Sequence, residues 1–93
     1  MVVMVRHKVR DFDAWKAVFD EHGTVRRKHG ATGHELFRGT DDPNEITVVN
    51  HFPSKQHAEG FAADPSLKEA MERGGVISEP QIIWADEVET VKY

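Results

Sequence analysis

Apolar residues along this chain recur first at every second position, then at three- and four-residue steps, and the order in which the two spacings follow one another limits the fold more than any other feature. Val3, Val5, His7 and Val9 alternate with Met4, Arg6 and Lys8, the pattern of a first strand over residues 2–9. Asp11 and Asp13 supply a helix start, and Phe12, Trp15, Phe19 and His22 mark one stripe of a helix reaching about His29 and Gly30. "GHELFRG" (33–39) and "EITVVNHF" (45–52) return to the two-residue spacing on either side of "TDDPN", whose Asp, Pro and Asn favour a turn. Ser54 caps a second helix to about Ala63. Asp64 and Pro65 interrupt it, "PSLKEAMER" resumes it, and Gly74 and Gly75 end it. "QIIWADEVETV" reads as the last strand.

The order βαββαβ predicts an α+β, ferredoxin-like sandwich: an antiparallel sheet ordered 4-1-3-2 with both helices on one face. The 93 residues suit one domain spanning 1–93. Pairing the hairpin about the centre of "TDDPN" places His34 opposite Asn50 and Leu36 opposite Val48. The first strand, antiparallel to the third, is expected to bring Val3 near His51 and His7 near Thr47. The uncovered sheet face, about 400 Å² and rich in Val, Ile, Phe and Trp, calls for a partner, and a second copy closing a barrel is the simplest one.

Composition removes several function classes. A hydrophobic fraction of 39% beside 30% charged residues is ordinary for a globular chain, and no apolar run approaches the ~20 residues of a membrane span. "MVVMV" precedes Arg6 and Lys8 and lacks the layout of a signal peptide. Without cysteine there is no disulfide, thiolate metal site or Cys nucleophile, and a cytoplasmic location is expected. A net charge of −4, with "RRK" at 26–28 as the one basic cluster, speaks against nucleic acid. Protonating all six histidines would carry the formal charge from −4 to +2, through neutrality near pH 6.

"FPSKQHAEGFAADPSLKEAM", with the preceding "ITVVNH", resembles the dimeric α+β barrel superfamily, especially its antibiotic-biosynthesis-monooxygenase branch. The resemblance covers residues 45–76 most closely and the rest through element order. It implies a homodimer and a cavity between sheet and helices, lined where Phe52 stands by an aromatic residue that is usually Trp. Phe52, Asn50 and Val48 then share the cavity face, and His51 points away. Haem-degrading members carry that Trp, and a haem-ligating His where this chain has Met71; with both absent, the resemblance implies no haem and no other cofactor.

The candidate site rests on three polar residues. If the hairpin register holds, His34 and Asn50 form a polar end to an apolar pocket; otherwise His34 is an exposed strand-start residue. His7, alone among valines, is either a ligand-contacting base or a dimer-interface histidine. His34 or His7 would take a proton and Asn50 would polarise the developing oxyanion. Phe61 and Met71 fit helix-to-sheet packing and also a cavity wall, while Trp84 suits either interface or pocket. His22 continues the apolar stripe as a satisfied, partly buried histidine, and seven residues separate it from His29, too many for a two-ligand metal spacing. No metal site is expected. The expected function is a cofactor-independent, monooxygenase-like or cyclase-like enzyme acting on an apolar aromatic or enolisable compound. The alternative is a non-catalytic homodimeric binding or stress-related module. An enzyme should keep several hundred Å³ of cavity beside Asn50 and Phe52.

Overall fold

The computed structural model describes residues 1–93. The elements are β1 (Val2–Lys8), α1 (Phe12–Glu21), α2 (Gly23–Lys28), β2 (Gly33–Arg38), β3 (Glu45–His51), α3 (Lys55–Ala62), α4 (Pro65–Arg73) and β4 (Gln81–Ala85). All four strands join one antiparallel sheet ordered β2-β3-β1-β4, which is the expected ferredoxin-like order read from the opposite edge. Trp15, Ala58 and Phe61 of the helices pack on Val3, Val5, Ile46 and Val48 to form the core.

Local chemistry sets the helix ends. Asp11 Oδ2 accepts from the Ala14 N–H at 2.9 Å, Ser54 Oγ from His57 at 3.2 Å and Asp64 Oδ1 from Ser66 at 2.9 Å, each satisfying a donor that the first turn leaves free. Pro65 opens α4, where no N–H is needed. Gly30 has φ +87°, and its N–H and that of Ala31 donate to the Arg27 and Arg26 carbonyls, closing a Schellman motif. The first helix also departs from one continuous rod. At His22 the Val25 N–H donates to the carbonyl three residues back, the turn tightens, and α2 begins at Gly23.

The hairpin pairs as expected, with His34 opposite Asn50 and Leu36 opposite Val48. The β1–β3 register differs by one residue: Val3 lies opposite Asn50 and His7 opposite Ile46, in place of His51 and Thr47. Directly opposed residues share a face, so this register alone puts the β1 alternation Val3, Val5, His7 on the side of Ile46, Val48 and Asn50. His7 therefore points under the helices, which removes the interface reading of that residue. The last strand is also shorter than expected, since Asp86 onward continues without pairing. Three acidic residues within Asp86–Glu89, with only Val88 among them, offer no apolar face to hold an edge strand on the sheet.

The face away from the helices is less apolar than expected. A row of Ile83, Met4, Val49 and Glu35 crosses it, beside Phe37 and the Arg6–Glu45 and His51–Glu35 pairs. Trp84 is absent from it: paired with Val3, it stands on the helix side of β4, 39% exposed because the helices sit over β1 and β3.

Candidate functional site

Four polar side chains are buried in this protein: His7, His22, Arg26 and Asn50. All four line one cavity between sheet and helices, among Trp15, Phe19, Val48, Phe61 and Met71. Burying polar atoms is costly unless each finds a partner, so the partners are informative. His22 Nε2 meets Ser66 Oγ at 2.8 Å, the satisfied histidine the sequence suggested. His7 Nδ1 and Asn50 Oδ1 meet nothing. Turning the Asn50 amide over would place its NH2, a donor, in the position Oδ1 holds.

The strands set the positions. His34, Asn50, Val3 and Trp84 form one transverse row, and Leu36, Val48, Val5 and Ile82 form the next. His7 stands four residues from Val3 along β1, about 13 Å by strand rise, so His7 and Asn50 mark opposite ends of the cavity floor. An aromatic chain runs over that floor. His7 meets Trp15 edge-on at 5.6 Å, Trp15 stacks on Phe19 at 4.9 Å, and His34 meets Phe19 edge-on at 5.0 Å.

Burial pushes the His7 imidazole below the ordinary histidine range. His34 is pushed down by burial first and then by the positive charge of Arg26 and Lys16. Both rings are thus held neutral at pH 7, the form that accepts a proton. Arg26 is itself pushed down to about 10, chiefly by burial.

The candidates divide into three groups. His7, Asn50, Val48, Phe61 and Met71 line the cavity. His34 keeps its place opposite Asn50 yet is the exposed strand-start residue of the alternative reading, and it lies just outside, in a second hollow of about 220 Å³ with Gly23, Arg26 and Arg27. Phe52 and Trp84 do not line the cavity: Phe52 is buried in the core with its ring 5.5 Å from that of Phe61, and Trp84 stands at the uncovered edge. Phe52 follows the end of β3 and falls behind Phe61, which takes the lining position. The cavity measures about 50 Å³, space for a few waters and well below the several hundred expected.

Sequence alone places Arg26 in a basic cluster and gives it no role at the site. A signal is present nonetheless: Phe12, Trp15, Phe19, His22 and Arg26 continue one stripe at three- and four-residue steps. No three His, Asp or Glu side chains converge as a metal would require.

No protein-family model matches the chain, and no curated protein matches it. Solved structures do. SnoaB, a cofactor-independent oxygenase from Streptomyces nogalater, superposes with a TM-score of 0.73 at 16% identity, over 94% of this chain and 93% of that one. A candidate antibiotic biosynthesis monooxygenase from Bordetella bronchiseptica gives 0.78 at 15% identity, over 95% and 96%. Another from Caulobacter crescentus gives 0.76 at 18%, over 95% and 89%. The fold of this chain is the ferredoxin-like fold of the antibiotic-biosynthesis-monooxygenase-like structures.

Proposed function

We propose that this chain is a small cofactor-independent enzyme, monooxygenase-like or cyclase-like, that takes a proton from an apolar aromatic or enolisable molecule and holds the resulting enolate. One observation carries the reading: His7 Nδ1 and Asn50 Oδ1 are buried without partners in the same apolar cavity. A core built for packing alone would gain by replacing both. A neutral imidazole accepts the proton, and the Asn50 amide, turned so that its NH2 takes the unpartnered position of Oδ1, donates to the enolate oxygen as its charge develops.

The spacing of the two groups selects among substrates. Ends about 13 Å apart at the backbone suit a fused-ring compound, in which conjugation carries charge from the deprotonated carbon to a distant oxygen. With O2 as co-substrate, the carbanion carbon bonds to oxygen, and loss of one water turns a CH2 into C=O. In a cyclase the same carbanion would attack a carbonyl carbon of the substrate itself. His34, across the hairpin from Asn50, is the second candidate base.

The test is conversion of anthrone to its quinone with O2 uptake. We expect turnover above the buffer rate, lost on His7→Phe and retained in large part on His34→Phe. The opposite ordering moves the base to His34, and a rate equal to buffer for the unmodified protein overturns the reading for this substrate type.

The small cavity favours a second reading, a non-catalytic homodimeric binding or stress-related module whose pocket is packed core. Absence of both anthrone turnover and anthrone binding supports it. In either case the uncovered sheet face supports work as a homodimer.

A further inference from the structure

Arg26 is 6% exposed, yet no carboxylate pairs with it and its side chain makes no hydrogen bond. Asp20, whose field it feels, is held by Lys16 at 2.7 Å. Its only close electronic partner is the Phe19 ring, whose centroid lies 3.6 Å from the guanidinium carbon. Its guanidinium reaches water only through the outer hollow, so a charge largely withdrawn from solvent stands there without a counterion, an arrangement that costs a fold stability.

The surroundings say what completes it. Arg26 is the one residue lining both the inner cavity and the outer hollow. A second cation converges there: a side chain at Gly23 would meet Arg26 Nη2 at 3.2 Å and Arg27 Nη1 at 3.4 Å, so the two guanidinium groups flank one small residue. His34 closes the same hollow, and no acidic residue lines it. The Schellman motif at Gly30 fixes the carbonyls of both arginines, so the pair stands on an ordered helix end.

We infer that Arg26, assisted by Arg27, binds a carboxylate on the ligand in the outer hollow and thereby orients an apolar ring system toward the mouth of the cavity holding Asn50 and His7. The ligand class is a carboxylated fused-ring aromatic, its anion in the outer hollow of about 220 Å³ and its ring body at the mouth of the cavity, whose 50 Å³ holds only a few waters. A guanidinium presents two parallel donors matched to a carboxylate, and partial burial strengthens the contact. This rests on the small-molecule reading of the cavity and adds the charge of the ligand.

The test compares naphthoate with naphthylmethanol, a neutral analogue of similar shape, by titration calorimetry on the full chain. We expect naphthoate to bind at least about tenfold more tightly, a difference of about 1.4 kcal/mol. Arg26→Gln should erase that preference, bringing the ratio of the two affinities to about one. Equal binding of the two by the unmodified protein, or a preference that survives Arg26→Gln, overturns the anion site and leaves the apolar cavity standing. Binding of neither compound overturns both. Should Arg26→Gln fail to fold, the exposed Arg27→Gln supplies the reading: a preference reduced about threefold supports the paired site, and an unchanged one overturns it.

Discussion

Asn50 and His51 are neighbours with opposite fates, because successive strand residues point to opposite faces. Asn50 is 3% exposed and keeps an unpartnered oxygen, while His51 lies on the outer face with Nε2 2.7 Å from Glu35 Oε1, both side chains well exposed. We expect Asn50→Ala to lower turnover or ligand affinity by about 100-fold, the effect of removing one donor to a developing oxyanion. Folding stability should change by no more than about 1 kcal/mol, since relief of the unsatisfied amide offsets the space left behind. His51→Ala should leave activity unchanged and stability within about 0.5 kcal/mol, as exposed ion pairs contribute little. Steady-state kinetics and urea unfolding of the two variants check this, and the reverse pattern would mean that the strand faces the other way. Burial governs titration at the same scale. His7, His22 and His34 all lie below their unfolded value of 6.5, so the unfolded chain binds protons first as pH falls. Their contribution to stability is complete above about pH 6.5 and is lost as pH drops through the folded values. Urea midpoints should fall between neutral pH and about pH 5, and a flat profile would contradict the burial of His7 and His22.

At the scale of elements, the candidate site depends on how helices end as much as on which side chains they carry. The Schellman closure at Gly30 turns the chain from α2 into β2 and sets the backbone of Arg26 and Arg27. A Cβ there would lie 2.8 Å from His57 Cδ2, and the left-handed φ disfavours any L side chain. Gly30→Ala should therefore cost about 1–2 kcal/mol by thermal or urea unfolding, against a small gain for the same change in a relaxed helix. The elements also show where local pattern stops short. Asp64-Pro65 marks a helix break legible to the residue, because Pro cannot continue the α3 hydrogen-bond ladder and Asp64 caps α4. The tightened turn at His22 has a weaker marker, Gly23, which an otherwise continuous stripe outweighs. It arises where one helix must keep Trp15 and Phe19 on the sheet and still bring Arg26 over Phe19.

For the whole molecule, the two faces of the sheet differ in kind. One is covered by helices and encloses the cavity; the other shows Phe37 and Ile83, each 55% exposed, with Met4 and Val49 in the row that Ile83 begins. Sedimentation should report a dimer. Ile83→Lys, placing a charge in that row, should shift it toward monomer with the far-ultraviolet spectrum unchanged. A monomer at all concentrations for the unmodified chain would remove the homodimer. Charge belongs to this scale too. With three of six histidines resisting protonation, the folded protein reaches neutrality at a lower pH than the count near pH 6 predicts.

Periodicity and turn chemistry by themselves determined the element order, the hairpin register and the opposite facing of Asn50 and His51, because each depends on residues close in sequence or on one turn; that Asn50 takes the cavity side was implied by the family resemblance. The β1–β3 register, the burial of His7, the withdrawal of Phe52 behind Phe61 and the 50 Å³ of cavity were decided only in the tertiary structure. These depend on which residues from distant elements compete for the same space, and a one-residue slip between strands is invisible to a pattern that repeats every two. Arg26 shows the same division within one residue. Its place on the apolar stripe is written in the chain, while its lack of a counterion depends on where every carboxylate came to rest.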